Sequence, residues 1–285
     1  MSKIPVSPIN VPTLLKKYDL RPSKGLGQNF LVDENALRKV VNAAEIGEGD
    51  VILEVGPGLG SLTRYLTSSA QRVIAVELDE KLLPALHETL VPFENVEIVM
   101  GDILKLDPGK LLISHHTLAA KNYKVVANIP YYITSAVIRH LLEAEIKPQL
   151  IVLTVQREVA ERICEQPPNM NLLALSVQVY GQPNIAAKIP AGAFYPPPKV
   201  DSAVVKIELF SEPHIPSGQL STFFQLIKAG FGQKRKTLRN TLSAGMHWSK
   251  EETEAILAEV GIDPQRRAQT LALAEWQTLT RVVSI

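Results

Sequence analysis

Short runs of β-branched residues alternate with stretches of helical periodicity through the first half of the chain. The runs that we predict to be buried strands are residues 51–55, 72–77, 96–100, 124–128 and 150–155. Helices are predicted at residues 61–70, 80–90 and 134–145, and Asp33 is placed to cap another one. Such strand and helix alternation indicates a parallel sheet with right-handed crossovers.

The pattern changes in the last third of the chain. Residues 184–190 and 202–210 read as two further strands, which we expect to form a return hairpin at the edge of the sheet. Only helical patterns follow, including a capping box that begins at Ser249 and a helix that ends at Gly261. We therefore predict an α/β domain over residues 1–210 and a small all-helical C-terminal domain over residues 211–285.

Composition adds little specificity but excludes several classes of protein. The net charge is +1, so a nucleic-acid surface has to arise from local clustering of basic residues. The only cysteine, Cys164, allows no intrachain disulfide, and we interpret it as a small buried side chain. The N-terminal residues have no continuous apolar segment and no apolar run is long enough for a membrane span, so we expect a cytoplasmic protein without a membrane partner.

A glycine-rich loop, EVGPGLG over residues 54–60, lies where the first predicted strand turns into a helix. Glycines there let the backbone approach a ligand closely. The dinucleotide pattern requires its third glycine at position 61, which is Ser61 here. Glu54 would also place a carboxylate near two phosphate groups, whereas S-adenosylmethionine has no phosphate and carries cationic centres. The loop therefore favours S-adenosylmethionine over a nicotinamide cofactor.

Acidic residues end the next two predicted strands. Glu77 can accept hydrogen bonds from both hydroxyls of a ribose, which suits either cofactor. Asp102 can accept from the amino group of the cofactor's adenine, or it can be a simple turn or helix-capping residue. Considered with the glycine loop, the ordered positions at successive strand ends favour ligand binding.

The fourth predicted strand ends in NIPYYIT, residues 128–134. The Asn128 side-chain oxygen and the Ile129 carbonyl could each accept one proton of an aromatic amine, directing the nitrogen lone pair toward a methyl donor. Pro130 stiffens the bend and Tyr131 can stack on a base. The alternative interpretation is an ordinary polar turn with two aromatic rings at its rim.

Seven segments of the chain together resemble a known family. They are GLGQNFLVDEN (25–35), EVGPGLGSLT (54–63), NIPYYIT (128–134), QREVAERI (156–163), AFYPPPKVDSAV (193–204), KRKTLRN (234–240) and RRAQTL (266–271). This combination is similar to the KsgA-type small-subunit ribosomal RNA adenine N6,N6-dimethyltransferases. The resemblance extends from about residue 21 to the C-terminus.

The resemblance implies a Rossmann-like class I methyltransferase sheet, mostly parallel with an antiparallel edge strand. It also implies dimethylation of two adjacent adenines near the 3′ end of small-subunit (16S) ribosomal RNA, within a pre-30S particle. We also expect a monomer. Phe194 would be a second ring beside Asn128 and Tyr131 in the catalytic group, although it also fits a core position. The implied S-adenosylmethionine contacts are Asn29, Leu31, Gly56, Glu77, Asp102 and Asn128. No metal site is predicted.

The densest basic cluster is the set that we predict to bind RNA phosphates: Lys234, Arg235, Lys236 and Arg239. On a helix, Arg235 and Arg239 would share one face. From composition alone, a run of charges is more often a solvated helix face.

Three other functions remain open from the sequence. An antibiotic-resistance methylase of large-subunit rRNA shares the glycine loop and the NIPY bend, but FYPPPKVDSAV and RRAQTL favour the small-subunit type. A non-catalytic RNA-binding or assembly factor could retain the fold, although Glu77, Asp102 and Asn128 are all present. A nicotinamide dehydrogenase is disfavoured by the electrostatics of the glycine loop.

Overall fold

The structure is a computed structural model of the 285-residue chain, and it describes residues 6, 8–114 and 123–284. The chain divides into two compact units. The first unit comprises Met1–Ala160 and Asn184–Leu209, and the second comprises Glu161–Pro183 and Phe210–Ile285.

The described residues form nine strands and twelve α-helices. The strands are β1 (Phe30–Leu31), β2 (Val51–Val55), β3 (Arg72–Glu77), β4 (Val96–Met100), β5 (Tyr123–Asn128), β6 (Leu150–Gln156), β7 (Gly181–Ile189), β8 (Phe194–Tyr195) and β9 (Ser202–Leu209). The helices are α1 (Val11–Lys17), α2 (Glu34–Ala43), α3 (Ser61–Thr67), α4 (Leu83–Leu90), α5 (Pro108–Ser114), α6 (Thr134–Glu143), α7 (Arg157–Cys164), α8 (Leu172–Gln178), α9 (Leu220–Phe231), α10 (Leu238–Met246), α11 (Lys250–Glu259) and α12 (Leu273–Val283).

Seven strands form one sheet in the order β4-β3-β2-β5-β6-β9-β7. Strands β2 to β6 pair in parallel, whereas β9 runs antiparallel to β6 with Ser202 opposite Gln156. The predicted mostly parallel α/β sheet is confirmed, with one refinement. The antiparallel strand β9 lies one position inside the edge, which β7 occupies.

The central strands of this sheet consist mainly of apolar residues, as is usual where both faces of a parallel sheet are covered. Every residue of β2 is buried, as expected for a β-branched run in a parallel sheet. Asp33 caps helix α2, as predicted, and its side chain accepts a hydrogen bond from the Ala36 amide at 2.8 Å. The apolar face of this helix then packs Leu37 and Val40 into the core.

The sequence did not indicate the two-stranded sheet formed by β1 and β8. Leu31 pairs with Phe194 and Phe30 with Tyr195, in antiparallel register. Two residues per strand are too few for a periodic signal, so only tertiary pairing defines these strands.

The second unit is helical and is built from two segments of the chain. In addition to residues 210–285, it contains α8, which packs against α9, and the Tyr180 ring stacks on Phe224 with centroids 6.4 Å apart. The domain boundary predicted near residue 211 did not anticipate that residues 161–183 group with this unit. The reason is the burial of α8 side chains such as Leu175, which a local helical pattern cannot assign to a partner.

Close helix approach in the second unit requires glycine at two positions. A Cβ at Gly230 would lie 2.5 Å from the Trp276 ring, and one at Gly245 would lie 2.5 Å from the Ala229 Cβ. Trp276 is itself fully buried. Over the part of the chain that the structure describes, no helix is long and apolar enough to cross a bilayer.

Candidate active site

A cleft opens in the first unit at the carboxyl ends of β2, β3, β4 and β5, where ligands bind in open α/β sheets. The six predicted cofactor contacts all line this cleft, and Tyr131 does so too. Phe194 and the four predicted RNA contacts are not among its lining residues. The sequence motifs therefore converge on one place, while the roles assigned to their residues stay predictions.

The glycine loop has a backbone conformation that other residues rarely adopt. Gly56, Gly58 and Gly60 have φ angles of 71°, 60° and 84°. A Cβ at Gly56 would face open space, so the backbone is exposed to a ligand there. A Cβ at Gly58 would lie 3.0 Å from the ring of Phe30, so this glycine lets β1 pack against the loop.

Glu77 is held rigidly at the end of β3. Its Oε2 accepts a hydrogen bond from the Gly58 amide at 2.9 Å, and its Oε1 accepts from Leu78 at 2.9 Å and Asp79 at 2.8 Å. Burial raises the pKa of this carboxyl despite these three donors. A carboxylate has about four acceptor sites, so Glu77 retains capacity for a ligand hydroxyl.

Glu54 is more deeply buried than the sequence implied. Its side chain is 1% exposed and its Oε2 has no hydrogen-bond partner among the described residues. Burial, reinforced by the charge of nearby Glu77, raises the pKa of Glu54 to about 8. The carboxyl is therefore mostly protonated at neutral pH, which weakens the sequence-based argument that it repels a pyrophosphate.

Asp102 is a turn residue, one of the two interpretations that the sequence left open, and its role in binding the cofactor stays a prediction. Its Oδ1 accepts a hydrogen bond from the Leu104 amide at 3.1 Å, which is the geometry of a turn residue. Its Oδ2 lies 3.8 Å from the Lys105 ammonium group, and the side chain is 29% exposed. Since the residue also lines the cleft, the turn fixes the carboxylate without using all of its acceptor sites.

The NIPYYIT bend is tied to the segment that precedes β1. The Asn128 Nδ2 donates a hydrogen bond to the Asn29 carbonyl at 3.0 Å, across 99 residues of chain. A carbonyl oxygen can only accept, so this contact fixes the nitrogen of the Asn128 amide and leaves its Oδ1 pointing elsewhere. Asn29 is held in turn, because its own Nδ2 donates to the Gly27 carbonyl at 3.1 Å.

The two aromatic rings of the bend have different surroundings. The Tyr131 hydroxyl lies 2.7 Å from the Ser202 Oγ, and burial raises the pKa of Tyr131. Tyr132 is 61% exposed at the rim of the cleft. A Cβ at Gly27 would lie 3.3 Å from the Tyr132 ring, so these two residues are in close contact.

Phe194 lies in the core rather than in the cleft. Its side chain is 3% exposed and belongs to the apolar cluster that contains Leu31 and Leu37. This placement corresponds to the core interpretation that the sequence left open. A stacking role would require the ring to become uncovered, and it stays a prediction.

Arg235 and Arg239 do not share a helix face, so that expectation is wrong. Lys234, Arg235 and Lys236 are exposed in the loop between α9 and α10. The helix resumes only after Thr237, which is extended with ψ 162°. Arg239 belongs to α10, and its Nε lies 2.6 Å from the Glu254 Oε1. Only the three loop residues are therefore fully presented to solvent.

Sequence reasoning missed Gln28 as a part of the cleft. Its Nε2 donates to the Asp79 Oδ2 at 2.8 Å, and its Oε1 accepts from the Ser23 amide at 2.7 Å. These bonds join the segment before β1 to the end of β3. Gln28 directly precedes Asn29 in the QNFL segment, and that adjacency was the available signal.

Comparisons with known proteins agree with this geometry. Residues 20–283 match the family model described as ribosomal RNA adenine dimethylase. The ribosomal RNA small subunit methyltransferase A of Dehalococcoides mccartyi is 47% identical over 94% of this chain and 91% of its own length. The enzyme of the same name from Alkaliphilus metalliredigens is 39% identical over 100% of this chain and 99% of its own length.

Two solved structures have the same fold. The crystal structure of the 23S rRNA methyltransferase ErmE matches with a TM-score of 0.72 and 26% identity, over 89% of this chain and 98% of that one. A dimethyladenosine transferase from Plasmodium falciparum matches with a TM-score of 0.72 and 23% identity, over 88% and 95%. The predicted Rossmann-like methyltransferase fold is thus confirmed, and this chain belongs to the ribosomal RNA adenine dimethylase family.

Proposed function

We propose that this protein uses S-adenosylmethionine to dimethylate N6 of two adjacent adenines near the 3′ end of small-subunit ribosomal RNA. The observation that carries this proposal is the contact between the Asn128 amide nitrogen and the Asn29 carbonyl. It leaves the Asn128 Oδ1 as an acceptor in the same cleft as the glycine loop and Glu77. An acceptor at that point suits an amine that develops positive charge as it attacks a methyl carbon.

The residues of the cleft fit S-adenosylmethionine. Gly56 presents open backbone, and Glu77 retains an acceptor site for a ribose hydroxyl. The Asp102 carboxylate can accept from an adenine amino group, and Asn29 and Leu31 also line the cleft. When bound, the cofactor supplies an electrophilic methyl group.

The catalytic bend acts mainly by positioning the target base. The exocyclic nitrogen of adenine is a poor nucleophile because its lone pair is delocalised into the ring. Hydrogen bonds to the Asn128 Oδ1 and the Ile129 carbonyl would favour a nitrogen with its lone pair localised. The Tyr131 ring can stack on the base, which contributes about 1–3 kcal/mol. No side chain with a high pKa has to remove a proton before attack.

The second unit supplies the RNA contact in this proposal. Lys234, Arg235 and Lys236 are exposed on a loop, where they can approach backbone phosphates of a folded rRNA. Arg239 contributes less because Glu254 neutralises it. We place the reaction in the cytoplasm, on a pre-30S particle, with the enzyme acting as a monomer.

A second candidate function is methylation of an adenine in large-subunit rRNA. The structural similarity to the 23S rRNA methyltransferase ErmE, with a TM-score of 0.72, is the reason to test this second function. The relatives with 39–47% identity are named for the small subunit, which supports the first candidate.

A transfer assay separates the two candidates. The purified protein is incubated with labelled S-adenosylmethionine and either under-methylated 30S particles or 50S particles. We expect label on two adjacent adenines near the 3′ end of the small-subunit rRNA, as dimethyladenosine, with the 50S particles unlabelled. Label only in large-subunit rRNA would support the second candidate, and label in neither would contradict both.

Removing the exposed loop charges is expected to weaken binding to different RNA sequences by a similar amount. In the triple variant Lys234→Gln, Arg235→Gln, Lys236→Gln, the slope of log affinity against log salt should become smaller by about 2 to 3, since each phosphate contact contributes about 0.7–0.9. Titration of 30S particles at several KCl concentrations measures this slope.

The matched control removes two other exposed cations of the same unit, through Lys250→Gln and Arg281→Gln. Its salt slope should stay at the wild-type value. Equal slopes for the triple variant and the control would place the RNA contact elsewhere.

A further inference from the structure

The hydroxyl of Tyr131 has a buried partner that the proposed mechanism does not use. Stacking on a base requires only the ring, so phenylalanine would serve equally well. Here the Tyr131 hydroxyl lies 2.7 Å from the Ser202 Oγ, and Ser202 is fully buried. A partner in such a place can fix where the ring lies.

We propose that Ser202 is a positioning residue that holds the Tyr131 ring in the place required for methyl transfer. This inference rests on the proposed function, because it assumes that Tyr131 contacts the target base. It adds to the reaction a residue that is not among those lining the cleft and that acts through Tyr131.

Ser202 is well suited to anchor a side chain. It is the first residue of β9, and it pairs with Gln156 of β6 in an antiparallel ladder that continues to Leu150. Strand β6 pairs in turn with β5, which leads directly into the bend. Ser202 therefore lies in the same sheet as β5, so backbone hydrogen bonds fix the point at which the bend begins relative to Ser202.

The Tyr131 ring is consequently fixed at two points. Its Cα follows Pro130, whose φ of −56° is set by the ring of the proline. Its hydroxyl is bonded to Ser202 at the far end of the side chain. The hydroxyl oxygen lies on the axis about which the ring turns, so this bond restrains the χ1 torsion and thereby the position of the ring, while the packing around the ring sets its rotation about that axis.

The state of the hydroxyl suits this role across the physiological pH range. Burial raises the pKa of Tyr131, and the phenol therefore stays protonated, able both to donate and to accept. Either oxygen can donate to the other, so the bond does not depend on the orientation of the Ser202 hydroxyl.

The test is a double-mutant cycle in the full-length protein. Ser202→Ala and Tyr131→Phe each remove the same hydrogen bond and keep the ring. We expect each to lower kcat about three- to tenfold at saturating cofactor, with KM for 30S particles nearly unchanged, as loss of one neutral hydrogen bond would. The double variant should be no slower than either single variant.

Three further variants separate positioning from a general structural effect. Ser202→Thr retains the hydroxyl and should restore most of the wild-type kcat. Ser176→Ala removes a hydroxyl that bonds the Leu172 carbonyl in α8 of the second unit, and it should leave kcat unchanged. Additive losses in the cycle, or wild-type kcat in Ser202→Ala, would overturn the inference.

Tyr131→Ala distinguishes failure of the inference from failure of the proposed function. If it retains turnover, the ring itself has no role, and the inference falls with it. If the wild-type protein transfers no methyl group, crystal structures can still test whether Ser202 anchors the Tyr131 side chain. One Tyr131 rotamer in the wild type and several in Ser202→Ala support anchoring, whereas the same single rotamer in both contradicts it.

Discussion

Asn128→Ala is expected to reduce kcat for methyl transfer by about 10²–10³-fold, the usual effect of deleting one preorganised polar group that stabilises transition-state charge. Alanine removes the Oδ1 acceptor and also the Nδ2 donor that binds the Asn29 carbonyl. The target nitrogen would then lose the acceptor that localises its lone pair. The rate is measured by single-turnover transfer of label to under-methylated 30S particles.

Binding should separate from turnover in this variant. The exposed basic loop at residues 234–236 is unchanged, so affinity for the 30S particle should remain within about twofold, well under the roughly 1.4 kcal/mol that a tenfold change represents. Asn42→Ala is the control, because Asn42 is exposed on α2 and belongs to no part of the cleft. A near-wild-type rate in Asn128→Ala would show that the assigned role is wrong.

Asn128→Asp provides a sharper version of the same test. The carboxylate retains an acceptor oxygen but cannot donate to the Asn29 carbonyl, which would face a second oxygen. If orientation of the amide matters, this nearly isosteric change should also be slow. If it is as fast as the wild type, the Asn29 contact has no catalytic consequence.

The folding stability of the wild type is expected to decrease as pH rises, and Glu54→Gln should remove most of this decrease. In the unfolded chain the carboxyl has its ordinary pKa of 4.5, and in the folded protein burial raises it to about 8. Below both values the folded and unfolded states are equally protonated. Between them the folded state retains a proton that the unfolded state has lost, so stability decreases as pH rises through this window.

The effect is large because one pKa unit corresponds to about 1.4 kcal/mol. Between pH 5 and pH 7.5, the wild type should lose roughly 3 kcal/mol of unfolding free energy relative to Glu54→Gln. Urea titrations without cofactor at several pH values measure the difference. Burial also raises the pKa of Glu77, but both proteins contain that residue, so the comparison isolates Glu54.

An exposed carboxylate provides the control for this comparison. Glu48 is exposed, and Glu48→Gln should follow the wild-type profile. Superimposable profiles of the wild type and Glu54→Gln would contradict the raised pKa. A cationic cofactor in the cleft favours the ionised carboxyl, so binding of S-adenosylmethionine should release protons and flatten the wild-type profile.

The central sheet was predictable because its signals are local. Strands such as β2 and β3 are short runs rich in β-branched residues, and both have the predicted bounds. The cleft was predictable for a related reason, since Gly56, Glu77 and Asp102 follow strand ends that parallel pairing places at one edge. Their convergence is a consequence of topology.

The features that could not be predicted from the sequence depend on long-range packing. The ionisation of Glu54 is set by its burial, which no local pattern reports. Helical periodicity around Arg235 and Arg239 did not reveal that Thr237 interrupts the helix between them. Phe194 looked equally suited to core and cleft, and its pairing opposite Leu31 decides its position in the structure.

The two-segment construction of the helical unit has a consequence for synthesis. The ribosome delivers α8 and Tyr180 before it has made α9, whose Phe224 stacks on Tyr180. These apolar side chains leave the ribosome before their partners, and they stay without them while β7, β8 and β9 are translated. The last helices of the chain thus complete a unit that began before the central sheet was finished, and the chain cannot be divided at residue 211 without separating those partners.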